Sequence, residues 1–433
     1  MKILIKGGRV IEPASNLDEV CDILTQDSAI AKVSRGINTE ADYTIDAADR
    51  IVMPGLIDMH VHLREPGRED KETVASGTGA ALKGGITCVL AMPNTHPAID
   101  NVEHIRLLKD LIKNSAYTHV FIAGAITRGR LGEELVDIAA AKKEGVVAIT
   151  DDGLSVDSDA LMLEALKTSQ QSGMLVICHS EDKKLSKNGV VNLGFTSTRM
   201  GLRGISKESE YKRVKRDIEL AEKADARVHI AHVSCKESLE LIVAAKKKGI
   251  KVTCETAPHY FSLSEEDVLG FDTNMKMNPP LRSKQDMMAV REALANGTID
   301  AIASDHAPHT ENEKDIEFER AEFGVVGLET MLAASITELV EKGVLTWLDL
   351  VAKITVNPAR ILGLSKGTLK EGADADLIVV SPQEEWLVEK AGLVSKSKNC
   401  AFLGRSLKGI VEYAICSGRI AYPFKNNSRK KNR

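Results

Sequence analysis

With 433 residues, 43% hydrophobic and 27% charged, the chain has the make-up of an ordinary globular protein and falls outside the disordered and fibrous classes. A net charge of -5 argues against a polyanion-binding body, so no nucleic-acid partner is expected. No apolar run approaches a membrane span, so no membrane association is expected either.

The opening Met1-Lys2-Ile3-Leu4-Ile5-Lys6 lacks the apolar core and cleavage pattern of a signal peptide. Residues 1–54 read as short strands between turns, including Ile3 to Ile5, Cys21 to Thr25, Ala29 to Val33 and Tyr43 to Ile45. From Ile51 the pattern changes to short apolar runs alternating with longer Ala/Leu/Lys/Glu stretches, as in βα units around a parallel sheet. Eight candidate strands follow: Ile51 to His62, Thr87 to Met92, Val120 to Ile126, Val146 to Thr150, Leu175 to His179, Arg227 to His232, Lys251 to Thr256 and Ile299 to Asp305. Eight is the closure number of the commonest parallel barrel.

Between them, Lys71 to Lys83 before Gly84-Gly85 and Glu133 to Lys143 before Gly145 read as helices stopped by glycine. The stretch Lys183 to Ser206 is rich in Gly, Ser and Lys and has little periodicity. Such a long loop is expected to cover the site. After Asn357-Pro358-Ala359 strand signals return at Asp376 to Ser381 and Ile410 to Cys416, with Ser417-Gly418 as a hairpin turn into Arg419 to Tyr422. The basic tail Ser428-Arg429-Lys430-Lys431-Asn432-Arg433 reads as a frayed, solvated end. The expected fold is α/β: a (β/α)8 TIM-type barrel over residues 55–362, with a small β-sandwich domain formed from residues 1–54 and 363–433. The seven scattered cysteines are expected to be reduced and buried, in a cytoplasmic protein.

On a parallel barrel the C-terminal strand ends gather distant residues into one pocket. His60 and His62 end the first candidate strand, two residues apart and therefore on one side of it. Asp151-Asp152 end the fourth, His179 the fifth, His232 the sixth and Asp305 the eighth. Four imidazoles and two carboxylates suit zinc, with cobalt or manganese as substitutes. Six ligands exceed the three protein ligands of a catalytic zinc, so two ions sharing a carboxylate are expected. A hydroxide held between such ions is a strong nucleophile at neutral pH, which is a hydrolase's equipment.

Further motifs are His60-Val61-His62-Leu63-Arg64-Glu65-Pro66-Gly67, Met92-Pro93-Asn94-Thr95, Asp151-Asp152-Gly153, Met277-Asn278-Pro279-Pro280-Leu281-Arg282 and Ser304-Asp305-His306-Ala307-Pro308-His309. With them the chain resembles the class I, bacterial-type dihydroorotases of the amidohydrolase superfamily, from Gly7-Gly8 to Cys416. The resemblance implies His60, His62 and Asp305 on one zinc, His179 and His232 on the other, and Asp152 as the bridge. Many superfamily members bridge with a carboxylated lysine at the end of strand four; here Lys142 and Lys143 precede that strand. The shorter bridge implies a more loosely held second ion, and its presence favours dihydroorotases over allantoinases and dihydropyrimidinases.

The same resemblance implies substrate contacts from Arg64, Asn94, Asn278, His309 and the backbone of Phe323-Gly324. Its reaction would be the reversible, zinc-dependent cyclisation of N-carbamoyl-L-aspartate to L-dihydroorotate in pyrimidine biosynthesis. Asp305 would be the catalytic residue, taking the hydroxide proton and passing it to the departing ring nitrogen. It also implies a homodimer and association with aspartate transcarbamoylase. The alternatives are another cyclic amidohydrolase, allantoinase or dihydropyrimidinase, or a non-catalytic subunit of an aspartate transcarbamoylase complex.

Overall fold

Period-two alternation builds the barrel. In strand Leu175–Cys178, Leu175 and Ile177 join the interior cluster of Met59, Leu90 and Ala301, while Val176 and Cys178 belong to the cluster shared with the outer helices. Successive strand side chains must point to opposite faces. This computed structural model describes residues 1–424, and the basic tail Ser428 to Arg433 lies outside them.

Eight parallel strands follow one another round the ring: Leu56–Val61, Ile86–Ala91, His119–Gly124, Ala148–Ile149, Leu175–Cys178, Val228–Ile230, Val252–Thr256 and Ala301–Ile302. A parallel bridge from Val61 to His306 brings the last back to the first. The single strand expected from Ile51 to His62 is divided at Gly55. Ile51–Pro54 pairs in the terminal sheet and Leu56–Val61 in the barrel. A Cβ on Gly55 would lie 2.1 Å from Thr87 Oγ1, so only glycine lets the chain cross between the two sheets there.

Capping decides where the helices begin. The helix expected from Lys71 starts at Val74, because Thr73 accepts from Ser76 N while Ser76 accepts from Thr73 N, a reciprocal capping box. Gly85, at φ 83°, ends it. The helix expected from Glu133 is only Ile138–Lys143, since the Asp137 carboxylate captures Ala140 N and fixes the start.

Both termini supply the second sheet. Its strands are Lys2–Glu12, Leu17–Gln26, Ala29–Ser34, Tyr43–Asp46, Ile51–Pro54, Leu377–Leu387, Ser406–Cys416 and Arg419–Tyr422, packed on Ile3, Ile5, Val10, Ile23, Val52 and Val379. Ser417 (φ 51°) and Gly418 (φ 69°) make the two-residue hairpin whose twist matches its strands. Between Leu387 and Ser406 the chain leaves this sheet, and Val388, Leu393 and Phe402 pack on Val326, Ala333 and Ala334.

The stretch from Lys183 to Ser206 has regular structure: helices Lys183–Ser186 and Phe195–Met200, and the paired strands Val191–Asn192 and Gly204–Ile205. What orders it is distant in sequence. The buried Arg282 donates to Asn192 Oδ1 at 3.0 Å and to the Ile205 carbonyl at 3.2 Å, and pairs with Glu210 at 3.2 Å. Among the described residues no helix is long and apolar enough to cross a membrane, and all seven cysteines are free and buried.

Candidate active site

The strand ends bring six expected groups together. His60 Nε2 lies 3.2 Å from Asp152 Oδ1 and 3.6 Å from Asp305 Oδ1. His62 Nε2 lies 3.5 Å from Asp152 Oδ2 and 3.6 Å from Asp305 Oδ1. On the other side His179 Nδ1 and His232 Nε2 are 2.9 Å apart, each 3.7 Å from Asp152 Oδ1. Asp152 therefore stands between two imidazole pairs. Asp151 turns away, accepting from Ile126 N at 2.8 Å, Thr127 N at 3.1 Å and the Thr127 hydroxyl.

Outer partners aim the rings. His60 Nδ1 donates to Glu255 at 2.9 Å, His62 Nδ1 to the Asn94 carbonyl oxygen at 2.8 Å, and His179 Nε2 to Glu181 at 3.3 Å. Each bond fixes one nitrogen as donor and leaves the other free to ligate. Arg64 (φ 62°), His232 (φ 38°) and Asp305 (φ 49°) sit in left-handed backbone, a strained state for non-glycine residues that clusters at functional sites.

The donor set fits divalent metal. His60 Nε2 and Asp152 Oδ1 are buried without a hydrogen-bond partner, which costs about 1–3 kcal/mol per group unless a cation lies among them. Nitrogen and carboxylate donors together suit a zinc-like ion. Burial alone would push Asp152 up; His60, His179 and His232 outweigh it and hold the carboxylate well below its usual range. Asp305 is likewise pushed up by burial and held down by His62, His60 and His232. Both are ionised at neutral pH, and Asp305 is free to accept a proton.

Above this cluster lies a cavity of about 540 Å³, lined by His62, Arg64, Asn94, Asp152, His179, His232, Asn278, Asp305, His309, Phe323 and Gly324. His60 is buried beneath it. Burial brings the Arg64 guanidinium down to about 10, so it remains a cation; its Nε donates to the Pro308 carbonyl at 3.1 Å. His309 is neutral, because burial, Arg64, Lys71 and Lys314 all push it well down. Lys71 Nζ donates to its Nδ1 at 3.0 Å, and its Nε2 donates to the Phe323 carbonyl at 2.8 Å. Asn278 Nδ2 donates to Glu181 at 3.1 Å. Ser186, Asn188, Gly189 and Ile205 also reach the cavity, so the Lys183 to Ser206 stretch forms one of its walls.

The Dihydro-orotase-like family matches residues 49–238, and the Amidohydrolase family matches residues 221–422. The chain is 48% identical over 420 residues to a dihydroorotase of Elusimicrobium minutum, covering 97% of each chain. It is 51% identical to that of Pelotomaculum thermopropionicum, covering 97% of this chain and 98% of the relative. The chain belongs to the dihydroorotase family. It is a hydrolase acting on cyclic amides. Among solved structures it is similar to the L-hydantoinase (dihydropyrimidinase) of Arthrobacter aurescens, with a TM-score of 0.87, 26% identity, and 96% of this chain and 95% of that one covered. The D-hydantoinase of a Thermus species, at 23% identity and a TM-score of 0.83 over 96% and 94% of the chains, shares the fold.

Two groups at this dihydroorotase-family site escape a reading by strand ends. Glu255 is the buried penultimate residue of the strand Val252–Thr256, where a lone carboxylate signals an interior partner. Burial would push it up, but His229 and His60 bring it down to about 2. Glu181 lies two residues past His179, the same offset that separates His60 from His62.

Proposed function

We propose that this chain is a class I dihydroorotase, interconverting L-dihydroorotate and N-carbamoyl-L-aspartate in pyrimidine biosynthesis. The observation that carries the reading is the place of Asp152 between the His60/His62 and His179/His232 pairs, within 3.2 to 3.7 Å of all four. His60, His62 and Asp305 would hold one zinc ion, His179 and His232 a second, and Asp152 would lie between them. When bound, the ions would supply a hydroxide nucleophile at neutral pH and polarise the ring carbonyl.

The chain's own residues do the rest. Arg64 supplies a planar cation for the substrate carboxylate, which a guanidinium can grip with two bonds. Asn94 has its carbonyl oxygen engaged by His62, which leaves its amide N–H groups to donate to the same carboxylate. His309 contributes a neutral edge beside Arg64, whose NH2 lies 3.4 Å from His309 Nε2. Asn278 and the Phe323-Gly324 backbone border the ring. Asp305 takes the nucleophile's proton and delivers it to the departing ring nitrogen, acting as base and then as acid. Cyclisation runs the same steps backwards.

Residues 1–54 and 363–433 are proposed as one composite β domain, of which 425–433 lie outside the described residues, and residues 55–362 as the catalytic barrel. On the family resemblance we further propose a homodimer and association with aspartate transcarbamoylase, which gel filtration and co-elution test. The likeness to hydantoinases makes cyclic ureides the rival substrates. Purified, metal-analysed protein assayed with dihydroorotate, allantoin and dihydrouracil separates the readings. Dihydroorotate should be preferred by about 100-fold or more in kcat/KM, because an engaged Arg64 discriminates against substrates lacking a carboxylate. Faster turnover of either rival overturns the assignment.

A further inference from the structure

Only one ring nitrogen of His309 faces the cavity. Nε2 lies 2.8 Å from the Phe323 carbonyl oxygen and 3.4 Å from Arg64 NH2, and Phe323 and Arg64 both line the space. A Cβ on Gly324 would stand 3.2 Å from this nitrogen, so glycine keeps its approach open. Nδ1 looks the other way. It has Lys71 Nζ at 3.0 Å and Glu313 Oε2 at 3.8 Å, neither of which lines the cavity.

A buried ammonium is an uncommon neighbour for an imidazole, because lysine is rarely taken out of water unless it is paired. Lys71 is buried in the connection between the strand Leu56–Val61 and the helix Val74–Lys83, the same connection that carries Arg64. Its Nζ pairs with Glu313 Oε1 at 2.9 Å, an oxygen that Arg68 NH2 also meets at 2.8 Å. Burial lowers the ammonium from its ordinary value, and Glu313 limits the fall. The Lys71 backbone is fixed too: its N–H donates to the Arg68 carbonyl at 2.9 Å, and its own carbonyl accepts from the Ser397 hydroxyl at 2.7 Å.

These neighbours admit one form of the ring. An ammonium can only donate, so Nδ1 must present its lone pair to Lys71; a carbonyl oxygen can only accept, so Nε2 must carry the hydrogen towards Phe323. The opposite tautomer would set N–H against ammonium on one side and lone pair against carbonyl oxygen on the other. The imidazolium is excluded as well, since burial, Arg64, Lys71 and Lys314 outweigh the Glu313 carboxylate and keep His309 neutral. Arg64 NH2, at 3.4 Å, is longer than a firm hydrogen bond to Nε2. Two N–H donors that stand side by side at that distance converge on an acceptor between them.

We propose that Lys71 is a positioning residue for the substrate carboxylate: it holds His309 as the Nε2–H tautomer and so makes that ring a second donor beside Arg64. The inference rests on the dihydroorotase reading and adds to it a residue that acts from behind the cavity wall.

Two measurements test it. The first is a ring nitrogen–proton correlation spectrum of zinc-loaded protein with isotope-labelled histidine, in which the His309 signals are assigned by their loss in His309→Asn. Wild-type protein should show His309 only as the Nε2–H tautomer, Lys71→Met should show both tautomers, and Lys71→Arg, which keeps a charged donor, should restore the first. The second is steady-state kinetics with bound zinc measured for each protein. In Lys71→Met the KM for dihydroorotate should rise about ten-fold with a much smaller change in kcat, and Lys71→Arg should recover most of the loss. A wild-type spectrum with the hydrogen on Nδ1 would overturn the proposal, and that result needs no variant should Lys71→Met fail to fold. So would Lys71→Met with an unaltered tautomer or an unaltered KM. A fall in kcat and bound zinc with KM unchanged would make Lys71 a purely structural residue, and would also overturn it. Wild-type protein that shows the Nε2–H tautomer yet leaves dihydroorotate intact would instead remove the dihydroorotase reading on which the proposal stands.

Discussion

Glu255 accepts a hydrogen bond from His60 Nδ1 at 2.9 Å with both side chains buried. The carboxylate fixes the tautomer and presents Nε2 to the Asp152/Asp305 cluster. Outer-shell partners of this kind typically change metal affinity by about 10–100-fold when removed. Glu255→Gln should therefore weaken zinc binding by that factor while the fold persists. Competition with a chromophoric chelator measures it, and an unaltered dissociation constant would show that His60 needs no such partner.

Asp305 has the opposite expectation. Its carboxylate is held ionised by His62, His60 and His232 against burial, and its proposed task is proton transfer. Asp305→Asn keeps an oxygen in place but cannot cycle a proton. Turnover should fall by about a thousand-fold, within the range of general acid–base catalysis, while most of the metal is retained. Near-normal kcat would remove Asp305 from the proton path.

Arg64→Ala removes a charge-assisted grip on the substrate carboxylate, which is worth about 1.5–3 kcal/mol. The KM for dihydroorotate should rise by about 10–100-fold, with a smaller change in kcat. Equal kinetics for variant and wild type would place the carboxylate elsewhere in the cavity.

Away from the site, an ion-pair cluster supports the terminal sheet. Asp376, in the return to the terminal sheet, pairs with Lys366 at 2.8 Å and with His119 at 3.1 Å. Burial would push Asp376 up, but His119 and Lys366 bring it down to about 2, against about 4 in an unfolded chain. A depressed folded value means the stabilisation is complete above about pH 4 and disappears as pH falls towards 2. Asp376→Asn, which can still accept from Ser417 N, should cost about 2 kcal/mol at pH 7 and progressively less below pH 4. Urea unfolding across this range checks it; a gap that stays constant on acidification would contradict it.

The barrel was legible because apolar runs such as Leu175 to Cys178 announce buried parallel strands, and polar residues at their ends mark the rim. His60, His62, His179, His232 and Asp305 all stand at such ends. Strand-end position alone did not separate Asp151 from Asp152; the family resemblance chose Asp152, and the bonds from Ile126 and Thr127 give the physical reason that Asp151 turns away. Groups that act across long chain separations were also hidden. Asn399 accepts from His309 N at 3.2 Å, and its amide donates to the Ala307 and Gly324 carbonyls at 3.2 and 3.1 Å. No local pattern announces it, because it comes from the excursion between Leu387 and Ser406, far from its partners in sequence. Arg282 was visible as a motif residue, yet its bonds to Asn192 and Ile205 explain the ordered 183–206 wall that periodicity alone does not reveal.

The central claim is that the imidazoles and carboxylates around Asp152 hold the metal that opens dihydroorotate. Its most direct test follows dihydroorotate hydrolysis and bound zinc together while the purified protein is stripped by chelator and then reloaded. Activity should fall in proportion to metal lost and return with zinc added. Hydrolysis that persists in the stripped protein, or fully loaded protein that leaves dihydroorotate intact, would contradict the claim.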